Sequence, residues 1–390
     1  MLALSLRNPQ LYRPALYTLL YWLREKRPSR ARAHYTFITD GIFGRSAYFS
    51  EIRLTTPVVL IAGDGIGPEV TAAMKEVLKA AGARVDWIEA WAGLPAVERF
   101  DDPLPDATLH AVRRYRVAIK GPCTTPVGKG YRSINVRLRK ELDLFASIRP
   151  VQTLPGVKVP YSGVNLVVVR ENTEGLYSGL EHFVVPGVVE SLRIVTHNAA
   201  ERIVRYAFEL ARQHGRQRVT VCHKADVLPM SDGLLLKTAR EVADDYPFLE
   251  FDELRIDALC MQLALDPTRF DVLVMENLFG DVISDLCAGL VGGLGLVPGA
   301  NFGAKYAVFE AVHGSAPDIA GKGLANPIAL IRSGAMMLEH IGQQTAMHKI
   351  EESIRRTLSM GKQLTRDLGG TGTTASLTAE IIANLPGGPA

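Results

Sequence analysis

A chain of 390 residues is long enough for two domains of ordinary size, each with its own core. Its hydrophobic share of 47% and charged share of 22% are those of a globular protein, and a net charge of +3, with acids and bases interspersed from Glu51 onward, is too small to point to nucleic acid. No apolar run reaches the roughly twenty residues a membrane-spanning helix needs, so the sequence is read as a soluble protein with neither a nucleic-acid nor a membrane partner. Cys123, Cys222, Cys260 and Cys287 are widely spaced and form no CxxC pair. Neither a zinc site nor a disulfide framework is indicated, and free thiols fit a reducing compartment.

Residues 1 to 50 carry Arg7, Arg13, Arg24, Lys26, Arg27, Arg30, Arg32 and Arg45 against only Glu25 and Asp40. An arginine-rich, acid-poor leader of this kind is either an organelle transit peptide or an extension outside the folded part. A cytoplasmic location is expected under the second reading and the mitochondrial matrix under the first. From Thr56 the pattern alternates. PVVLIAG predicts a buried strand, and Val70, Met74, Val77, Leu78 and Ala81 are spaced for a helix over 69–81, stopped by Gly82. Further strands are predicted in RVAIKG, VNLVVVREN, QRVTVCHK, FDVLVMEN and YAVFEAVHG. Helices are predicted over 198–214 with an Asn198 cap, 231–245 with a Ser231 cap, and 327–341 with Pro327 in the first turn. Strands separated by helices predict α/β layers around a largely parallel sheet. EHFVVPGVVESLRIVT breaks the rhythm and reads as a β excursion around Pro186 and Gly187, an arm suited to pairing with another chain.

Several segments carry chemistry. GDGIGPEV (residues 63–70) joins the first strand to the first helix, but its glycines alternate and the third glycine of GxGxxG is missing, so the dinucleotide fingerprint fails. Between Lys120 and Val151, Ser133, Asn135, Arg139 and Arg149 accompany glycines and prolines that fix a loop, and a later strand ends in Arg170. Arginine offers a planar fork of donors, so three converging on one cleft would hold a polyanionic acid; taken singly, each is an ordinary surface ion pair. Tyr177 follows one buried strand and Lys224 ends another. Both are candidates for proton transfer if a cleft lowers their pKa values. Asp281 and Asp285, four apart at the start of a helix, share a face and would repel without a cation between them. Hard oxygen ligands suit Mg²⁺ or Mn²⁺; the plainer reading is a solvated face with Asp281 as a cap.

From about Pro57 to Leu385 the chain resembles the decarboxylating β-hydroxyacid dehydrogenases of the isocitrate and 3-isopropylmalate dehydrogenase family. GDGIGPEV, RSINVRLRKELDL, VRENTEGLYSG, HKAD, NLFGDVISDLCAGLVGGLG and HGSAPDIAGKGLANP occur in that family's order, while residues 1–56 have no counterpart. The resemblance implies two α/β domains, a large one over 57–143 and 292–385 and a small one over 144–291, with the site in the cleft between them. It implies substrate contacts from Thr124, Ser133, Asn135, Arg139, Arg149 and Arg170. It also implies a catalytic pair of Tyr177 and Lys224, and a metal held by Asp257, Asp281 and Asp285. Lys224 and Asp257 would enter the neighbouring subunit's cleft, so a homodimer or larger oligomer with shared sites is expected.

The RSxNV pattern at Arg132 to Val136 is similar to that of enzymes acting on isocitrate; homoisocitrate is the next candidate and 3-isopropylmalate the third. Asp226 departs from the asparagine usual after HKA. NADP-using relatives carry lysine and tyrosine where this chain has Asp318 and Ile319, and a carboxylate repels a 2′-phosphate, so NAD is expected. Ile66, Glu310, His313, Gly314 and Asn326 match the family's adenosine loop and its lining. A non-catalytic regulatory subunit is the alternative of another class; such subunits lose catalytic or metal residues, and here Tyr177, Lys224, Asp257, Asp281 and Asp285 are all in place.

Overall fold

The computed structural model describes residues 55–125, 131 and 133–387; the arginine-rich leader and Arg132 lie outside them. Thr56–Ile61 forms β1, its last four residues buried, and Gly67–Ala80 forms helix α1. Pro68 opens that helix, where a missing N–H goes unnoticed. Val70, Met74, Val77 and Leu78 are buried, and Gly82 ends the turn at φ +87°, a conformation side chains resist. The helix therefore begins two residues before the predicted start.

Nine more strands complete one sheet: β2 (Val85–Ala90), β3 (Val117–Lys120), β4 (Ala146–Gln152), β5 (Asn165–Glu171), β8 (Arg218–His223), β9 (Glu250–Arg255), β10 (Val272–Met275), β11 (Pro298–Phe302) and β12 (Ala307–Ala311). Their spatial order is β2-β1-β3-β12-β11-β4-β5-β10-β8-β9. The first four are mutually parallel, as are the last four, and β11 and β4 join the two sets through antiparallel pairings. Side chains alternate between faces, so Val58 and Leu60 enter one core while Val59 and Ile61 enter another. The first core is covered by α1, α9 (Ile328–His340), α10 (Gln344–Met360) and α11 (Thr374–Ala383). The second is covered by α3 (Asp106–Tyr115) and α4 (Ile134–Glu141), the short α2 (Leu94–Phe100) lying before them in the chain. Around β5, β8 and β10, one face is packed by α5 (His197–Gln213) and α6 (Ser231–Ala243), the other by α7 (Ile256–Leu265) and α8 (Asn277–Leu290).

The α/β class and the largely parallel sheet are as predicted, with differences at the helix starts. Helix α5 is capped by Thr196, whose hydroxyl accepts from the Ala199 amide, not by Asn198. Ser231 is the first helical residue of α6 and caps nothing; Met230 occupies the cap position. Pro327 likewise precedes α9. β6 (Gly175–Val185) and β7 (Val188–Ile194) form the separate antiparallel hairpin expected around Pro186 and Gly187. Its tip exposes Phe183, Val184, Val185, Val188 and Val189. The four cysteines are free thiols, Cys222 and Cys287 fully buried.

Candidate active site

The strand β10 delivers the chain into α8, whose N-cap is Glu276, accepting from the Phe279 amide at 2.9 Å. Asp281 and Asp285 thus lie beyond the first turn on one face, and Asp281 is not a cap. Arg170, at the end of the neighbouring β5, forms an ion pair with Asp281 and holds Asn277 Oδ1 through Nε and Nη2 at 2.9 and 2.7 Å. A Cβ at position 280 would stand 2.5 Å from the Arg170 side chain, so Gly280 lets that arginine pass beneath the helix. Arg149, on β4, reaches Asp285 at 3.1 Å, Asp281 at 3.8 Å and Ser284 Oγ at 2.5 Å. Two buried arginines therefore supply the counter-charge that the i,i+4 acids require. Burial alone would raise Asp281, but Arg170, Tyr177 and Arg149 hold it below the ordinary carboxylate range. Asp285 is raised by its burial in spite of Arg149. Desolvation depresses both arginines, Arg170 to about 10.

Tyr177, on β6, donates its hydroxyl to Asp281 Oδ2. Burial and that bond raise its pKa, against the lowering expected from the sequence: a phenol donating to a carboxylate keeps its proton. Lys224 differs in the same sense. Its ammonium is partly exposed and bonds Asp257 Oδ1 at 3.1 Å and Asp226 Oδ2 at 3.2 Å, which raises its pKa where desolvation was expected to lower it. Asp257, at the start of α7, thus stands with Lys224 rather than with Asp281 and Asp285. Among the described residues no three His, Cys, Asp or Glu side chains converge as a metal site.

A small cavity of about 110 Å³ is lined by Lys120, Asn135, Arg139, Arg149, Glu310 and His313, with Cys123, Ser147 and Gly314 among its other walls. Lys120, at the end of β3, pairs with Glu310 of β12 at 2.9 Å, and Arg139 of α4 pairs with the same carboxylate at 3.4 Å. Asn301 donates to it at 2.8 Å. Burial opposes the charge on Glu310, yet Lys120 and Arg139 hold it down at about 2. Burial likewise opposes the charge on Lys120, and Glu310 more than compensates. Among the described residues Asn135 Oδ1 is buried with no partner, a polar group left for a ligand. Ser133 occupies the position before α4, its carbonyl accepting from the Arg137 amide at 3.0 Å and its side chain making no cap bond.

Thr124 sits where three loops meet. Its amide and hydroxyl donate to Asp64 Oδ1 at 2.7 and 2.5 Å, and the hydroxyl lies 2.7 Å from Ser315 Oγ. Asp64 also accepts from the Leu94 amide at 3.0 Å. The glycines of GDGIGPEV serve this meeting: a Cβ on Gly63 would stand 2.0 Å from the Pro122 carbonyl oxygen, and one on Gly65 2.1 Å from that of Ser315. Asp64, Lys120 and Ser315 were not singled out from the sequence, whose only signal for them was the glycine spacing and the KGP and HGS strings around them.

A second cavity, about 330 Å³, is lined by Ile66, His313, Gly314, Ile319, Asn326 and Asp367 among others, and adjoins the first through His313 and Gly314. His313 is pushed toward the neutral form by burial, and among the described residues its Nε2 has no partner. Asn326 donates to Asp367 Oδ2 at 2.9 Å. Asp318 adjoins this wall through Ile319 but does not line it. Glu310, expected beside the adenosine, belongs instead to the Lys120 and Arg139 cluster.

A family model described as isocitrate/isopropylmalate dehydrogenase matches residues 57–385. The chain is 52% identical to the catalytic subunit 5 of mitochondrial NAD isocitrate dehydrogenase of Arabidopsis thaliana, over 85% of this chain and 89% of that protein. It is 48% identical to the chloroplastic 3-isopropylmalate dehydrogenase of Solanum tuberosum, over 86% and 95%. Among solved structures it resembles the isocitrate dehydrogenase of Methylococcus capsulatus with a TM-score of 0.83 and 51% identity, covering 85% of this chain and 99% of that one.

Proposed function

Because the chain belongs to the isocitrate/isopropylmalate dehydrogenase family, we propose that it is a catalytic subunit that oxidises and decarboxylates isocitrate to 2-oxoglutarate and CO₂, reducing NAD. The observation that carries this reading is the convergence of Arg149, Arg170 and Tyr177 on Asp281 and Asp285, beside a cavity holding Asn135 and Arg139. Regulatory chains that have lost catalytic groups have no use for such a set. Ser133 and Asn135 favour isocitrate, whose distal carboxylate a hydroxyl and an amide can bond. Homoisocitrate and 3-isopropylmalate are the alternative substrates.

The donor set fits both absent groups. Asp281 and Asp285 are hard oxygen donors already sharing a face, and Asp257 with Lys224 would be contributed by a second copy of the chain, giving shared sites in a homodimer or larger oligomer. Mg²⁺ or Mn²⁺ bound there would supply Lewis-acid polarisation of the substrate oxygens. NAD would supply the hydride acceptor, with Ile66, His313, Gly314, Ile319 and Asn326 around its adenosine and the unpartnered His313 Nε2 offered to it. Arg139, Arg149 and Arg170 would hold the substrate carboxylates, their donors fixed by burial before binding. Lys224 would accept the hydroxyl proton in the second copy's cleft, once contacts there weaken the bonds to Asp226 and Asp257 that raise its pKa. Tyr177 keeps its proton and can deliver it to the carbon left by CO₂.

We place the two lobes at 57–143 with 292–385 and at 144–291; the extension expected over 1–56 overlaps β1 by one residue, Thr56. For location, the name of the Arabidopsis relative and the arginine-rich leader support the mitochondrial matrix over the cytoplasm first expected. No helix among the described residues is long and apolar enough to cross a membrane.

Initial rates with isocitrate, homoisocitrate and 3-isopropylmalate, each with NAD and NADP, test the reading. Isocitrate with NAD should turn over fastest, EDTA should abolish the rate, and Mg²⁺ or Mn²⁺ should restore it. A rate with 3-isopropylmalate alone would overturn the substrate, undiminished activity after chelation the metal, and no turnover of any acid the catalytic role.

A further inference from the structure

Arg193 is the last charged residue of β7, yet its side chain turns away from the exposed hairpin tip and is 14% exposed. The guanidinium meets Asp232 Oδ1 at 2.6 Å and Glu276 Oε1 at 3.5 Å, and lies over the ring of Phe279 at 5.3 Å. Asp232 is 1% exposed, in the first turn of α6, and its other oxygen accepts from the backbone amide of Lys224 at 2.6 Å. The Asp232 amide bonds the Leu228 carbonyl, so this one residue ties both the start and the middle of the loop from 224 to 232. Glu276 is the cap of α8 and fixes that helix's first turn through Phe279. Its second oxygen is buried without a donor, and Gly175 approaches it so closely that a Cβ there would stand 2.8 Å away.

We propose that Arg193 is a positioning residue: a single buried cation that locks the backbone of Lys224, through Asp232, to the start of the helix bearing Asp281 and Asp285, through Glu276. The inference rests on the reading of Lys224 and α8 as parts of the active site. Without the guanidinium, the buried Asp232 and Glu276 lose the cation that, among the described residues, ion-pairs with both, and water must enter to solvate them. The loop and the helix are then free to shift apart. Proton transfer tolerates little of this, since a displacement of about 1 Å can cost roughly a hundredfold in rate. Arginine suits the place because its Nη2 lies within ion-pair distance of both acids while Nη1 donates to Ser231 Oγ at 3.4 Å and the guanidinium lies over Phe279. It also makes the geometry of the site depend on the hairpin, since β7 carries the cation.

The test uses the full chain with Arg193→Met and Arg193→Lys, and Thr196→Ala as a control that weakens the α5 cap without touching this bridge. Arg193→Met should lower kcat by roughly a hundredfold while KM for isocitrate and for NAD stays within about threefold. A solvent-deuterium isotope effect on kcat should appear as proton transfer becomes limiting, and amide exchange should quicken at Lys224 and Phe279. Arg193→Lys should recover about a tenth of the rate, keeping the charge but losing the fork. Thr196→Ala should lower Tm and move none of these. Should Arg193→Met fail to fold, Arg193→Lys decides alone: reduced kcat with faster Lys224 exchange supports the bridge. Wild-type kcat and wild-type Lys224 protection in either folded variant overturn it. If wild-type protein fails to oxidise isocitrate, or Lys224→Met retains full activity, the functional reading falls, while the amide-exchange comparison still decides whether Arg193 holds the two elements together.

Discussion

Asp318 lies beside Ile319 at the wall of the larger site cavity, and its backbone oxygen is held by Lys322 Nζ at 2.7 Å, which fixes the turn from which its carboxylate extends. Replacing Asp318 by lysine and Ile319 by tyrosine exchanges a group that repels a 2′-phosphate for a cation and a hydroxyl that bind it. The ratio of kcat/KM for NADP to that for NAD should rise by at least roughly a hundredfold, less at high salt because screening weakens the effect. An unchanged ratio in folded protein would remove Asp318 as selector. Glu310 allows a prediction on stability. Its pKa falls from 4.5 in the unfolded chain to about 2 in the fold, so its contribution is complete above pH 4.5 and is lost as pH falls toward 2. The shift corresponds to about 3 kcal/mol. Glu310→Gln strands Lys120 in the core and should lower stability at pH 7 by about 3–5 kcal/mol, with the gap to wild type narrowing below pH 4; equal urea midpoints at both pH values would contradict it. Residues such as Glu310 and Lys120 were hard to assign because each draws its role from a partner distant in the chain. Arg149, Arg170, Tyr177 and the aspartates of α8 were legible because type and spacing already expressed their chemistry.

Strands buried on both sides announce themselves as apolar runs, and β1, β3, β5, β8, β10 and β12 were predicted from that signal. The edge strands β2 and β9 were not, since VDWIEA and EFDELR place charges at the exposed positions that protect a sheet edge. β4 and β11 escaped for another reason: Arg149, Pro150 and Gly299 break their pattern. Pro150 lies beyond Ala146–Ile148, the only part of β4 that β11 covers. The hairpin was legible because VVPGVVE brackets a turn, although its tip leaves Phe183 74% exposed and Val185 53% exposed. Such apolar surface on a two-stranded sheet suits an interface, and the proposed homodimer would cover it. Phe183→Asp combined with Val185→Asp should shift the protein toward monomer in sedimentation velocity at micromolar concentration. Retention of the wild-type oligomer would exclude the arm from the interface.

Across the whole molecule, Asp257 and Lys224 stand together while Asp281, Asp285 and Tyr177 form another group, and in the proposed homodimer a second copy would unite them. Tyr177→Phe and Lys224→Met, each inactive, should therefore regain part of the wild-type rate when unfolded and refolded as a mixture. Mixed oligomers with no activity would argue for sites complete within one chain. The division was visible in the sequence only as a family expectation, because spacing along a chain carries no information about symmetry. The order of the sheet has its own consequence for a chain emerging from the ribosome. β5, β8, β9 and β10 are made as one continuous stretch, whereas β3 has no neighbour on its far side until β12, which brings Glu310 to Lys120. At about 5–20 residues per second that neighbour arrives roughly 10–40 s later. Nascent chains stalled near residue 330, with roughly the last 35 residues still inside the ribosome, should resist protease across 165–290 while 56–125 is still cut, and the reverse pattern would mean that the outer strands find another partner first. Until β12 emerges, the opening stretch of the fold, β1 to β3, is a client for whatever shields nascent apolar strands.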